Sequence, residues 1–390
     1  MFFLFFIIHI YFLFARIFSK TAVAEPVFPQ LAVVATENMW KMRALGHILA
    51  SRSQRENDRM KTVNNVYKEI KTMLKITNTE HFGLQRKIVA NMTSESWKNI
   101  PHVAYNYEAD ITELLTELKK VNVSRSAEDR ITVNTLMLKV IAEGLKAAPA
   151  MNAHLEYNGF LVRGRIDTFE EINISIPMVM SDGRMMTVNV RGFEKMNLDE
   201  ITEKMNDVRR RMENTILEEA MYEASFANTI NELMKGRVLK ALGRLFGAKT
   251  GKHKITLLKG KEKRRYNSIS ADDRLTGYDI EQGTVTVSNL GSLDKSLTGN
   301  VTLLEIVPPQ VAAFGVGAIQ DKVVCATDSC GVKNAEFRKI LPICIAFDHR
   351  ALDFGDVIPF TRRCNEIFEN PEIIRNWVNA DKNSQRRKNA

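Results

Sequence analysis

The chain is organised around one apolar run that ends in charged residues. Residues 343–347 (Ile-Cys-Ile-Ala-Phe) are all apolar and follow Pro342, a pattern typical of a short buried strand bounded by that proline. The charged triplet 348–350 (Asp-His-Arg) comes next, and Asp353 follows shortly after. Polar side chains just past a strand end are where α/β proteins tend to keep their chemistry. His349, with an acid on each side, is therefore a candidate general base.

Between residues 100 and 370, alternating apolar and polar positions predict strands, and apolar positions at helical spacing predict helices. Strands are predicted at 103–107, 153–157, 160–165, 172–180, 184–190, 284–287, 311–316 and 322–326. Helices are predicted at 112–121, 131–148, 198–212 and 360–370. Asn158-Gly159 and Asp182-Gly183 are typical of hairpin turns, and residues 288–292 are predicted to form a turn after their strand. Because hairpins occur among the helices, we expect an α/β fold (an α+β two-layer sandwich) with a mixed sheet flanked by helices.

The N-terminal region carries no catalytic signal. Residues 1–20 begin with a strongly apolar run, and Arg16 and Lys20 follow that run. The segment is compatible with a signal sequence, with a membrane anchor that leaves the remainder cytoplasmic, or with translation that starts downstream, for instance at Met39. Residues 21–82 have helical, basic-polar spacing that indicates packing or partner contact.

Composition narrows the class of protein. The chain has 390 residues, 45% of them hydrophobic and 26% charged, which is typical of a globular protein with one or two domains. Its four cysteines are too few and too unevenly spaced for a zinc site or a disulfide framework, so we expect no metal and a reducing compartment. Cys344 is interpreted as a small buried hydrophobe.

The net charge of +9 is concentrated in one segment. Between Lys235 and Arg265 there are twelve Lys or Arg residues against the single acid Glu262. The segment lies within residues 221–273, which interrupt the regular pattern and are predicted to be a basic helical insertion. A solvated basic face, attraction to an anionic membrane surface and contact with cofactor phosphates are all compatible with it. Nucleic acid is not favoured, since the charges lack interleaved aromatic residues and a recognisable reading motif.

Several motifs of the chain resemble those of one enzyme family. Residues 348–353 (Asp-His-Arg-Ala-Leu-Asp) match the D-H-R-x-x-D-G signature of dihydrolipoamide acyltransferases, the acyltransferase components of 2-oxo acid dehydrogenase complexes, in all but its last position. Residues 286–291 (Thr-Val-Ser-Asn-Leu-Gly) resemble the family's T-I-S-N-L-G, and residues 307–310 (Val-Pro-Pro-Gln) its N-x-P-Q. Further similarities occur at 132–152 and 181–190. The resemblance implies a chloramphenicol acetyltransferase-like catalytic domain over residues 83–377, followed by a polar tail at 378–390.

The resemblance also implies roles for three residues. His349 is expected to be the general base that takes the proton from a thiol, either coenzyme A or dihydrolipoamide, as that thiol attacks an acyl thioester. Ser288 is expected to donate a hydrogen bond to the resulting oxyanion, and Asp353 to hold local structure or to bias the imidazole by its charge. Shaping a turn and capping a helix remain open as alternative roles for Ser288 and Asp353. The family forms trimers with the active site between subunits, so His349 and Ser288 are expected to meet across an interface.

The chain also departs from the family pattern. Phe354 stands where the signature has glycine, which puts the backbone turn after Asp353 in question. The residues contain no pattern typical of a lipoyl domain, so we expect no covalent lipoate on this chain and an external lipoyl domain or another acceptor. An O- or N-acyltransferase on the same fold and a non-catalytic oligomeric scaffold at a membrane surface remain alternatives. Since coenzyme A thioesters are intracellular, we expect a cytoplasmic protein, with membrane association through residues 1–20 as a further hypothesis.

Overall fold

The computed structural model of the chain describes residues 76–234, 257–293, 299–327 and 331–379. Contacts divide the chain into two compact units, residues 1–80 and 81–390, and all the described helices and strands belong to the second unit. Several predicted segments lie outside the described residues: 1–20, most of 21–82, the centre of the basic insertion and the tail from residue 380.

Helices and strands alternate along the second unit. The helices are α1 Leu84–Asn99, α2 Thr112–Asn122, α3 Val133–Ala147, α4 Leu198–Glu213, α5 Leu217–Met234, α6 Gly260–Asn267 and α7 Phe354–Glu369. The strands are β1 His102–Asp110, β2 Ala153–Asn158, β3 Arg163–Thr168, β4 Ile174–Val179, β5 Met185–Val190, β6 Val285–Asn289, β7 Ala312–Val316, β8 Gln320–Thr327 and β9 Lys333–Asp348. In the part of the chain that the structure describes, no helix is long and apolar enough to cross a membrane.

The strands form one large mixed sheet, as the sequence predicts. The sheet has seven strands. Six follow the order β1-β9-β7-β6-β4-β5, and the seventh, β8, pairs with β9; β2 and β3 form a separate hairpin. Strand β9 runs antiparallel to β1, β7 and β8, whereas β6 runs parallel to both β4 and β7. The long strand β9 therefore lies between β1 and β7 at its carboxyl end and carries the candidate base just beyond its last residue.

Both faces of the carboxyl half of β9 are buried, which explains its unbroken apolar run. Ile343, Ile345 and Phe347 join the main core together with residues of α2, α3, α4 and α7. Ala346, on the opposite face because side chains alternate along a strand, packs in a second cluster with Ile100.

Four predicted element boundaries are wrong. Pro342 does not bound the strand but lies inside β9 opposite Glu108, where its carbonyl accepts a hydrogen bond from the Gly317 N–H. The predicted turn at 288–292 is confined to a 3₁₀ turn at Leu290–Ser292, because β6 continues through Asn289.

The other two wrong boundaries are the start of the last helix and the position of the first hairpin turn. Helix α7 begins at residue 354, six residues earlier than predicted, because Asp353 caps it there. The first hairpin turns over residues 159–162 rather than at Asn158-Gly159, and β3 accordingly begins at Arg163.

Helix α7 is held against α3 by a close approach at one glycine. A Cβ atom at Gly144 would lie 2.6 Å from two carbon atoms of the Phe360 ring. Phe360 is itself fully buried and stacks on Phe314 of β7, with ring centroids 4.9 Å apart. Because the helix that follows His349 is fixed through this contact, Gly144 helps to position the site.

We predict that Gly144→Ala destabilises the protein by about 1–2 kcal/mol, since the added methyl overpacks a filled core. Alanine is the better helix former by about 1 kcal/mol, so propensity alone predicts the opposite sign. Gly355→Ala is the matched control, because it is also a helical glycine and its Cβ would meet nothing within 4 Å. Urea unfolding of both variants measures the difference, and equal stability of the two would show that Phe360 moves aside without cost.

Candidate active site

The candidate base lies at the edge of the sheet where β9 ends and where β1 and β7 begin. His102 pairs with Asp348, and Ala312 pairs with Phe347, so His349 is the first residue beyond the sheet. Its backbone N–H donates to the Pro101 carbonyl at 3.1 Å, which fixes the chain at this point. The His349 side chain is 50% exposed and therefore accessible to a substrate.

A buried ion pair forms the turn that presents His349. Asp348 has no solvent exposure, and its carboxylate accepts hydrogen bonds from Arg350 Nε at 3.0 Å and Nη2 at 2.6 Å. The Arg350 backbone N–H also donates to Asp348 Oδ1, and the N–H groups of Ala351 and Leu352 donate to the Asp348 carbonyl. The first acid of the motif is thus committed to Arg350, whereas the sequence suggested that it flanks the imidazole electrostatically.

The imidazole of His349 is oriented by a backbone carbonyl. Its Nδ1 lies 3.1 Å from the Leu352 carbonyl oxygen, which can only accept a hydrogen bond, so Nδ1 carries the proton in the neutral ring. Asp353 Oδ1 lies 3.4 Å from the same nitrogen. The remaining nitrogen, Nε2, then has a free lone pair, which is the arrangement that a general base requires.

Asp353 both contacts His349 and begins helix α7. It is the N-cap residue, and its backbone N–H donates to the Asp356 carboxylate at 2.8 Å in a capping box. Its own carboxylate is 83% exposed, so solvent weakens its charge effect on the imidazole. Asp353 can therefore cap the helix and lie beside the histidine at the same time.

The phenylalanine that replaces the motif glycine needs no special backbone. Phe354 is the first helical residue of α7, and its φ is not positive. Glycine is required only where the chain enters the left-handed region or approaches another group closely. The backbone turn after Asp353 therefore accommodates Phe354 without strain, and what changes is the aromatic ring that it adds beside the site.

The structure does not bring Ser288 to His349 within one chain. Ser288 pairs with Gly315 of β7, and Gly315 pairs with Cys344 of β9, five positions before His349. At roughly 3.3 Å per strand residue, the two side chains are separated by about 16 Å along the strands, and they also lie two strands apart. A direct interaction between them requires a second copy of the chain.

Two contacts that the sequence did not reveal fix the segment around Ser288. Asn289 Nδ2 donates to Asn134 Oδ1 at 2.7 Å, which ties the end of β6 to the first turn of α3. A Cβ atom at Gly291 would lie 2.5 Å from the Gly317 carbonyl oxygen, so only glycine fits there. Asn289 and Gly291 belong to the motif at residues 286–291. Their contacts with Asn134 and Gly317 depend on how the strands and helices pack, and they do not follow from sequence spacing.

A buried amide organises the start of β6. Gln310 is 1% exposed; its Nε2 donates to the Gly283 carbonyl at 2.8 Å, and its Oε1 accepts from Thr286 Oγ1 at 2.7 Å. His154 of β2 donates to the same carbonyl through Nε2 at 3.2 Å, and burial lowers the pKa of this histidine. Thr286 lies two residues before Ser288 on the same face of the strand, so this network positions the serine.

The described cysteines show no sign of nucleophilic activation. Burial raises the pKa of Cys364 to about 12 and also raises the pKa of Cys344. Cys344 is 1% exposed, as expected for a small hydrophobe in a strand, and Cys325 is exposed on β8. Within the described ranges, no three His, Cys, Asp or Glu residues are grouped so that they could hold a metal ion.

We predict that Arg350→Met lowers the free energy of unfolding by about 3 kcal/mol, because it leaves the Asp348 carboxylate buried without its partner. Arg165→Met is the control: Arg165 pairs with Glu156 and Asp167 at the surface, where such pairs contribute at most about 1 kcal/mol. Chemical denaturation measures both variants. Equal losses would mean that the Asp348–Arg350 pair is not the constraint that its burial indicates.

The chain is similar to known acyltransferase components over most of its length. It is 22% identical over 293 residues to the dihydrolipoyllysine-residue acetyltransferase component of the pyruvate dehydrogenase complex of Rickettsia prowazekii. The match covers 74% of this chain but only 53% of the relative, so the chain spans about half the length of that protein.

Solved structures show the same fold. A probable dihydrolipoamide acetyltransferase from Listeria monocytogenes is 20% identical with a TM-score of 0.51, covering 75% of this chain and 95% of the other. The dihydrolipoamide acetyltransferase of Azotobacter vinelandii, studied for the catalytic role of a serine, a histidine and an asparagine, is also 20% identical with a TM-score of 0.51. That match covers 77% of this chain and 94% of the other.

The family resemblance predicted from the motifs is confirmed. The model of the family 2-oxoacid dehydrogenases acyltransferase (catalytic domain) matches residues 74–233 and 258–375. It passes over residues 234–257, so the part without a counterpart in the family is narrower than the predicted insertion at 221–273. Both the His349 turn and the Ser288 strand fall inside the match. The chain belongs to the 2-oxoacid dehydrogenase acyltransferase family and carries its catalytic domain.

Proposed function

We propose that the protein transfers an acyl group between coenzyme A and a thiol acceptor such as dihydrolipoamide. The observation that carries this proposal is the hydrogen bond from His349 Nδ1 to the Leu352 carbonyl, because it leaves Nε2 as the basic nitrogen of a half-exposed imidazole. Family membership supplies the reaction class, and the geometry of the His349 turn supports the role of this residue in it.

The reaction needs one base and one oxyanion donor. His349 Nε2 takes the proton of the acceptor thiol as its sulfur attacks the carbonyl carbon of the acyl-coenzyme A thioester. A tetrahedral oxyanion forms, and its collapse breaks the bond between that carbon and the sulfur of coenzyme A. The imidazolium then returns the proton to the departing coenzyme A thiolate, so the products are a new thioester and free coenzyme A. Asp353, whose Oδ1 lies 3.4 Å from Nδ1, is proposed to help hold the imidazole in place.

Ser288 is the proposed oxyanion donor, contributed by a neighbouring copy. Its hydroxyl lies at the end of a strand held by Asn134 and Gln310, a rigid support for such a donor. Because the separation within one chain is too large for both residues to reach one substrate, the proposed site lies between subunits of a homotrimer or of a larger assembly of trimers. Asp353 also caps helix α7, whereas Ser288 lies in strand β6 and not in the turn that follows it.

The proposed partners follow from the same chemistry. The acceptor would be a lipoyl domain on another protein or free dihydrolipoamide. The Rickettsia prowazekii relative is named as an acetyltransferase of a dihydrolipoyllysine residue. We place the reaction in the cytoplasm, where coenzyme A thioesters occur. The exposed basic residues of α6, among them Lys261, Arg264 and Arg265, support a weak attraction to anionic membrane surfaces.

We predict that His349→Ala lowers kcat/KM for acetyl transfer from acetyl-coenzyme A to dihydrolipoamide by about a hundred- to ten-thousand-fold, since a general base is lost. Exposed His81→Ala, outside the motif, is the control and should retain activity. The assay follows release of coenzyme A with thiol, alcohol and amine acceptors of equal length. Transfer by His349→Ala at the wild-type rate would refute the role of His349, and absence of transfer in the wild-type protein would favour the scaffold hypothesis. A preference for alcohols or amines would favour the O- or N-acyltransferase alternative.

We predict that Ser288→Ala lowers the rate by about a hundred- to a thousand-fold, the effect typical of losing one oxyanion donor. Co-expression of Ser288→Ala with His349→Ala distinguishes the two arrangements of the site. If the site lies between subunits, an equal random mixture retains intact sites at about one quarter of the wild-type number. If each site is built from one chain, the mixture shows only the activity of its inactive parents.

A further inference from the structure

An exposed aromatic pair lies next to the candidate base. The Phe354 ring meets Phe347 edge-on, with centroids 5.3 Å apart, and it meets Tyr105 of β1 edge-on at 6.4 Å. Phe347 in turn lies 6.1 Å from the His349 ring, also edge-on. Phe347 is completely buried, whereas Phe354 is 50% and Tyr105 40% exposed. The surface beside the imidazole is therefore an apolar wall with two accessible rings.

The start of helix α7 does not require the Phe354 ring. The helix is capped by the Asp353–Asp356 box, and the two positions of a hydrophobic staple are filled by Leu352 and Val357, both buried. Phe354 is the first helical residue and takes part in neither the capping box nor the staple, and it is 50% exposed. The Phe354 ring therefore remains available for contact with a ligand bound at the His349 edge.

We propose that Phe354 is a specificity-determining residue that selects acceptors with an aliphatic chain next to the thiol. The inference rests on the proposed function, because the thiol that loses its proton to His349 Nε2 must bring its neighbouring carbon atoms close to this imidazole. Under this proposal those carbons contact the ring of Phe354, which packs on Phe347 beside the imidazole. Glycine at position 354, as in the family signature, would leave this wall open.

The chemistry of candidate acceptors separates them at this wall. The methylene chain of a dihydrolipoyl group is apolar and gains by leaving water, whereas an acceptor that carries amide or hydroxyl groups near its thiol must desolvate them. Full burial of one methylene strengthens binding by about fourfold. Contact with a half-exposed wall contributes about half of the corresponding free energy, which strengthens binding by about twofold. The wall should therefore produce a graded preference for chain length.

The test measures kcat/KM for acetyl transfer from acetyl-coenzyme A to alkanethiols of increasing length, with cysteamine as a short polar reference. We expect kcat/KM of the wild-type protein to rise by about twofold per methylene and this slope to disappear in Phe354→Ala. Phe354→Tyr keeps the ring and should keep the slope. Phe354→Gly restores the residue of the family signature and should behave like Phe354→Ala, and thermal unfolding checks that all variants are folded.

The outcomes separate this inference from the proposed function. Transfer that depends on His349 but shows the same chain-length slope in wild type and Phe354→Ala overturns the role of Phe354 and leaves the proposed function intact. A loss of kcat for cysteamine as large as the loss for long thiols would also overturn it, since a general disturbance of His349 moves both. Absence of transfer in the wild-type protein refutes the proposed function and this inference together.

Discussion

The candidate site depends on one buried charge. Strand β9 delivers the Asp348 carboxylate to a position without solvent, where an isolated anion would cost several kcal/mol. Arg350, two residues later, can neutralise it only if the chain turns back immediately after the strand. That turn carries His349 out of the sheet, brings the Leu352 carbonyl within hydrogen-bonding distance of its Nδ1 and directs the chain into α7. The need to pair one carboxylate thus shapes the whole local arrangement.

Local features of the chain were predictable because they depend on local physics. The apolar run of β9, the hairpin at residues 182–183 and the helix from Leu198 follow from periodicity and turn chemistry within a few residues. The predicted start of α7 is late because periodicity alone does not show that Asp353 caps the helix. A proline predicts a strand boundary because prolines seldom occur inside central strands, yet the carbonyl of Pro342 and its neighbours keep the ladder intact.

The relation between Ser288 and His349 was not predictable from spacing. It is set by which strands pair and in which register, and such contacts join residues far apart in sequence. Likewise, the Asn289–Asn134 hydrogen bond and the close approach at Gly291 depend on the packing of α3 and β7 around the end of β6. Motif similarity pointed to these residues as a set, but only the sheet shows that the serine and the histidine occupy different ends of it.

The hydrogen bond from His349 to the Leu352 carbonyl has an evolutionary consequence. Because the acceptor belongs to the main chain, every amino acid at position 352 presents the same oxygen, and drift in side-chain identity leaves the tautomer of the base unchanged. The arrangement is vulnerable instead to changes in chain length between positions 349 and 353, since one inserted or deleted residue would move the carbonyl away from the ring. For the tautomer of the base, the length of this segment therefore matters more than the side chain at position 352.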